Sequence, residues 1–199
     1  MAFDLQAAYN WAVSECQRSD VAYSQTYRNQ QTVNGITYYD CSSFIFFALW
    51  LGGGLDVGVL GFSTNINDYH QGRANAWVVT SMVNTYLPQV SGFEFYDAAS
   101  TSWQAGDILA KTDVPRERRH TEMCYAPPTR TMGAHNTSSG VSINDYQTGY
   151  DYYNVLIRYT GSPTPPTPPG PPTPPGPSKP VPIWLIKRAI EINGGGIPI

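Results

Sequence analysis

From residue 163 to residue 182 the chain is mostly Pro with interspersed Thr and Gly, in the pattern PTPPTPPGPPTPPGP. Proline has no backbone N–H and a fixed φ, so such a run supports neither a helix interior nor a central strand. It is expected to form an extended polyproline spacer over residues 161–182, rising about 3.1 Å per residue. The spacer divides the chain. Residues 1–160 must hold the folded unit, and residues 183–199, IWLIKRAIEINGGGIPI, are too few to fold alone. Residues 183–192 can form one short apolar helix ending at Asn193-Gly194. Ile183, Trp184, Leu185, Ile186, Ala189 and Ile190 are apolar enough to require another surface: the folded unit, a second copy of the chain, or a partner.

Within residues 1–160 the composition supports a packed core. Hydrophobic residues are 41 % of the chain and charged residues only 14 %, which excludes a disordered polyelectrolyte. A net charge of −3 excludes a generally basic nucleic-acid binder. No stretch is long and apolar enough to span a bilayer. The N-terminus, MAFDLQAAYNWAVSECQ, has neither a basic start nor a cleavage site, so no signal peptide is expected. Cys16, Cys41 and Cys124 make no CxxC pair, and an odd count points to free thiols. The 14 tyrosines suit sugar or peptide contact, and equally suit half-buried strands.

The coarse pattern is helices first and strands after. Helices are expected over 4–18, 41–51 and 76–87, and strands over 106–111, 120–126, 130–135 and 153–159. This order predicts an α+β domain with N-terminal helices packed on an antiparallel sheet. The first helix is expected to bury Phe3, Ala7, Trp11 and Ser14 or Glu15. Pro127-Pro128 reads as the turn of a hairpin between 120–126 and 130–135.

Chemistry concentrates in a few places. In Tyr39-Asp40-Cys41-Ser42-Ser43-Phe44, the residues Phe44, Phe47, Ala48 and Leu51 make one apolar helix face, and Gly52-Gly53-Gly54 ends it. Asp40 is a good N-cap, which puts Cys41 in the first helical turn. A thiol there meets the positive end of the helix dipole, which favours thiolate. A structural buried cysteine is the competing reading. A thiol nucleophile usually needs an imidazole base. His120 opens one strand of the expected hairpin and His135 closes the other, so both fall at one end of it. His120 can then face Cys41 while His135 orients it. Glu122 shares a strand face with His120 and is either a site carboxylate or a surface one. Asn136 is a reserve orienter. Asp107 reads as a turn residue, His70 as a surface residue, and Arg116, Glu117, Arg118 and Arg119 as a solvated charged loop, or one able to meet an anionic polymer.

The ordered set VAYSQTYRN, YYDCSSFIFFAL, NAWVVTSM, WQAGDILAK, HTEMCYA and MGAHNTSSGVSI resembles the bacteriophage peptidoglycan hydrolase family of Pal-type amidases. It is also similar to the wider NlpC-type and CHAP-like papain-fold hydrolases. The resemblance covers about residues 1–160. It implies a papain-like α+β fold and hydrolysis of amide bonds in bacterial peptidoglycan, as amidase or peptide-stem endopeptidase. It further implies Cys41 as nucleophile, His120 as base and His135 as third polar group, with Tyr23 beside the nucleophile and Asp40 and Ser42 flanking it. It implies no cofactor and no metal, and a lysin held in the host cytoplasm or virion before acting on the wall. Two departures stand out: Arg28-Asn29 replaces a glycine pair common after that tyrosine, and the stretch from Tyr23 to Cys41 is longer.

Two other classes remain open. His120-x-Glu122 matches half of a zinc deaminase signature, but the Pro-Cys-x-x-Cys half is absent. A catalytically inactive structural or wall-binding phage protein on the same fold would suit the Pro run and apolar tail, although such a protein would be expected to lose Cys41 or His120.

Overall fold

The computed structural model describes residues 3–145, 153–161 and 166–168. The expected apolar helix at 183–192 and most of the Pro-rich run lie outside the described residues.

Asp4 starts the first helix, accepting the N–H of Ala7 at 3.0 Å, and α1 spans Leu5–Gln17. Leu5, Ala8, Tyr9, Ala12 and Val13 are its buried stripe, at i, i+3, i+4, i+7 and i+8. The expected stripe through Ala7 and Trp11 is corrected by this rotation, since both are only half-buried, while of the expected pair Ser14 is exposed and Glu15 is buried. The cause is a close approach at Gly52-Gly53. A Cβ on Gly52 would lie 2.6 Å from Trp11 Cβ and 3.0 Å from Ala8 Cα, so the chain passes α1 at a distance only glycine permits.

A small sheet follows that the sequence did not predict. Its strands are β1 (Val21–Tyr23), β2 (Asn29–Val33) and β3 (Ile36–Tyr39), in the order β1-β3-β2. β1 runs parallel to β3, and β2 antiparallel to it. Asn34-Gly35 turns the β2–β3 hairpin with φ of 52° and 80°, the two positive values that a type I′ turn requires. β3 leads directly into Asp40 and α2 (Cys41–Phe47). Phe44, Ile45, Phe46, Phe47, Ala48 and Leu49 are all fully buried, so this helix lies inside the core rather than on it. It continues as a π turn over Ala48–Gly52. The wider turn rotates Leu51 outward, and that residue, expected on the apolar face, is 39 % exposed.

The helix expected over 76–87 is shorter and broken. After α3 (Ile66–His70), α4 covers only Val79–Ser81 and passes into a π turn (Met82–Tyr86) and a 3-10 turn (Leu87–Gln89). Its start is withheld by tertiary bonds: the Ala76 N–H donates to Asn29 Oδ1 at 3.0 Å, and Trp77 Nε1 to the Ser42 carbonyl at 3.1 Å.

The main sheet contains β4 (Phe93–Asp97), β5 (Ile108–Lys111), β6 (His120–Ala126), β7 (Arg130–Asn136), β8 (Gly140–Asp145) and β9 (Val155–Tyr159). Its order is β4-β9-β5-β6-β7-β8, antiparallel at every pairing. The β6–β7 hairpin forms as expected, while β4 and β8 were not predicted. α2 packs on β6 and β7, and α1 on β7 and β8. The architecture is therefore α+β, with helices against an antiparallel sheet as in a papain-like domain. Residues 1–168 make one unit, which extends slightly past the Pro-rich boundary. Pro166 is buried over Gly106, where a Cβ would come within 2.8 Å of its ring, and the Thr167 N–H donates to Gln6 Oε1 at 3.2 Å.

Candidate functional site

β3 delivers Asp40 to the start of α2, and Asp40 fixes the geometry there. Its Oδ1 accepts the Ser43 N–H at 2.7 Å, while Ser43 Oγ accepts the Asp40 N–H at 3.0 Å, a reciprocal capping box. Cys41 is thus the first residue of the helix, as expected, and is 5 % exposed. Ser42 Oγ donates to Asp40 Oδ1 at 3.1 Å, so it braces the cap.

Arg28 holds this corner from the side. Its Nε lies 2.6 Å from Asp40 Oδ2, and one terminal nitrogen donates to Ser42 Oγ at 2.8 Å and to the Trp77 carbonyl at 2.5 Å. The sequence marked Arg28 only as a departure from a glycine pair. Its function as the counter-ion of Asp40 had no local signal, because the two lie on different elements. Tyr23 pairs in register with Tyr39, the residue before Asp40. Burial raises the Tyr23 phenol above its ordinary value, with Cys41 and Asp40 adding to the effect.

β6 brings the imidazole. His120 and Glu122 alternate onto one face of the strand. Cys41, at the start of the helix that packs on β6, is among the groups that raise the His120 imidazole. The His120 Nε2 lies 2.8 Å from Glu122 Oε1, so the carboxylate engages one nitrogen of the ring. Across the hairpin, His135 Nδ1 lies 2.6 Å from the same Glu122 oxygen, and its Nε2 donates to the Ser142 carbonyl at 2.9 Å. The sequence brought the two histidines to one end of the hairpin, and their ring centroids are 6.2 Å apart. The direct partner of His120 is nevertheless Glu122, with His135 behind the carboxylate. Asn136 does not reach the ring; its Oδ1 accepts from Ser138 and Ser139 in the β7–β8 turn.

Electrostatics follow from these contacts. Burial works to lower the proton affinity of His120, but Cys41 and Glu122 outweigh it and raise the imidazole well above its ordinary value. Burial opposes ionisation of Glu122, yet hydrogen bonds from both histidines hold it far below the carboxylate range. Cys16 and Cys124 differ: burial pushes each thiol up to about 12.

His120, Glu122 and His135 offer ligand atoms that all lie within 4.8 Å of one another, a spacing that admits a metal ion. As placed, the two nitrogens sit at hydrogen-bond distances of 2.8 and 2.6 Å from one oxygen. Co-ligands around a tetrahedral zinc, with bonds of about 2.0–2.2 Å, stand farther apart than this. The arrangement is that of a hydrogen-bonded relay.

A groove of about 970 Å³ opens at this relay, with Tyr23, His120, Glu122 and His135 in its lining. His70 lies elsewhere, with Nε2 3.1 Å from Gln30 Oε1. Asp107 is structural: both its oxygens bind Arg158, at 2.9 and 2.7 Å.

Residues 5–90 match the family model described as bacteriophage peptidoglycan hydrolase. The match spans Cys41 and its cap and stops short of His120. No curated protein and no solved structure matches the chain.

Proposed function

Within the bacteriophage peptidoglycan hydrolase family that the match over residues 5–90 supports, we propose that this chain is a cysteine amidohydrolase acting through Cys41, His120 and Glu122. The observation that carries this reading is the bond between His120 Nε2 and Glu122 Oε1 at 2.8 Å, on the strand against which the helix headed by Cys41 packs. It is the nucleophile, base and orienter sequence of a triad, with a carboxylate in third place. His135 is a positioning residue that holds Glu122.

In the first step the Cys41 thiolate adds to an amide carbonyl of peptidoglycan, at the lactyl–alanine bond or within the peptide stem. The new S–C bond sends the carbonyl π electrons to oxygen. The backbone N–H groups of Cys41 and Ser42, in the first turn of α2, are the oxyanion donors. As the carbonyl re-forms, the C–N bond breaks and the His120 imidazolium gives its proton to the departing amine. Neutral His120 then takes a proton from water. The resulting hydroxide attacks the thioester, the C–S bond breaks, and a carboxylic acid leaves. Glu122 keeps the ring oriented and offsets its charge throughout.

Cys41→Ala should clear no bacterial walls in a turbidity assay while keeping the wild-type circular dichroism spectrum. Wild-type clearing by that variant would sink the proposal. Mass spectrometry of the digest identifies the bond, since an amidase frees the whole stem and an endopeptidase cuts it.

A further inference from the structure

Beside His120 the groove has a wall of positive charge. Lys111 ends β5 and is paired across the ladder with His120. The chain returns to β6 through a 3-10 turn at Arg116–Arg118 and then Arg119. Lys111, Arg116, Arg118 and Arg119 all line the groove. The whole chain has 12 Lys and Arg and a net charge of −3, so four cations on one wall are a local concentration and not general basicity.

Of the three acids in the lining, two are engaged by partners other than Arg116, Arg118 and Arg119. Glu122 is held between two histidines. Asp145 is ion-paired with Arg130 at 3.4 Å, which leaves Glu117 on the turn itself. Arg119 is fixed by uncharged oxygens, donating to the Val114 carbonyl at 3.2 Å and to Thr80 Oγ1 at 3.1 Å, so its position is set while its charge is retained. Arg116 and Arg118 are exposed at the groove. The far side is lined by the uncharged Asn136, Ser139 and Asn144.

We propose that this arginine wall binds a free carboxylate of the peptide stem and so selects stems whose side carboxyl is not amidated. The inference rests on the peptidoglycan reading above. A guanidinium fork matches a carboxylate through two parallel hydrogen bonds, and a cleft with walls of one sign focuses the field on that ligand. The glycan is uncharged where its lactyl group is amide-linked to a stem, so the stem carboxylates are the anions next to the amide being cut. The turn is only two to four residues from His120 along the chain, which places recognition next to the reacting amide.

The test uses the full chain carrying Cys41→Ala, so that binding is read without turnover. Calorimetry compares a disaccharide-peptide muropeptide bearing a free side carboxyl, its amidated counterpart, and a glycerol-phosphate oligomer. The free acid should bind about tenfold more tightly than the amide, the scale of one charge-assisted contact. Adding Arg116→Ala and Arg118→Ala should abolish that difference. Equal affinity for acid and amide, or no binding of either, overturns the proposal, as does a preference that survives removal of both arginines. Tighter binding of the phosphate oligomer overturns it in favour of an anionic wall polymer. If the amide is discriminated against but the chain with Cys41 intact cuts no wall, the hydrolase reading fails and stem recognition stands.

Discussion

The relay at the site depends on one oxygen shared by two rings. Glu122 Oε1 receives His120 and His135 at 2.8 and 2.6 Å, while the Glu122 side chain is only 5 % exposed. A buried carboxylate so placed favours charge on the imidazole it faces. Raised His120 contributes stability that is full below its ordinary value of 6.5 and is lost as pH rises through the folded value. Depressed Glu122 contributes stability present above its ordinary value of 4.5 and lost as pH falls through the folded one. The two contributions are therefore both complete between 4.5 and 6.5. In Glu122→Gln the amide keeps the shape and loses the charge, so the alkaline limb of the wall-clearing pH profile should move to lower pH. An unmoved limb would mean that Glu122 does not support the imidazolium. His120→Ala should cost roughly 10²–10⁴-fold in rate, and His135→Ala less, because Glu122 retains its bond to His120. Equal loss from both would place His135 in contact with the reacting groups. The two thiols that burial pushes up to about 12, Cys16 and Cys124, should be the slow ones toward iodoacetamide. Cys41 should label first, and labelling it should stop clearing; faster labelling of Cys124 would contradict this placement.

At the scale of elements, close approach decides how α1 meets the turn after α2. Gly52→Ala would set a Cβ 2.6 Å from the Trp11 Cβ, an atom that cannot swing away, and 3.0 Å from backbone. Overpacking of that kind costs about 1–3 kcal/mol. Gly54 has a φ of 72° but nothing within 4 Å of an added Cβ, so Gly54→Ala incurs backbone strain alone, about 1–2 kcal/mol. Thermal melts should show Gly52→Ala as destabilised, and hydrogen exchange should show its α1 amides exchanging faster than in the wild type. Gly54→Ala should keep α1 protection intact. Equally fast α1 exchange in both would remove the packing argument. The helix start at Asp40-Cys41 and the hairpin around Pro127-Pro128 were legible because each is encoded locally, by a cap and a turn. The pairing of His120 with Glu122 on one face was legible from period two. The β2–β3 hairpin had its signal in Asn34-Gly35 and in Ile36–Tyr39, but the polar run 29–32 does not read as a partner strand. The start of the helix expected at 76 was lost to Asn29 and Ser42, and Arg28 found Asp40 across 12 residues of chain; neither outcome is visible in a local pattern.

At the scale of the whole molecule, the folded unit ends at Pro168, inside the Pro-rich run. Its last described residues have a packing function. Pro166 is buried and covers Gly106, and the N–H of Thr167 reaches Gln6 on α1. A chain cut after Pro168 should therefore melt higher than one cut after Thr160. Burying part of one proline ring and forming one exposed hydrogen bond contribute about 1 kcal/mol together, or about 2–4 °C for a domain of this size. Cys41, His120 and Glu122 all belong to elements complete by β7. Both truncated chains should accordingly clear purified peptidoglycan at the full-length rate when assayed well below their melting temperatures. Identical melting temperatures would show that Pro166 and Thr167 add nothing to the unit. Loss of activity in the longer truncation would show that residues beyond 168 contribute to cutting, and would move the functional boundary past the one drawn by packing. If purified walls are cleared equally but intact cells are lysed more slowly by both, the residues beyond 168 act in delivery, the function their apolar composition suggests.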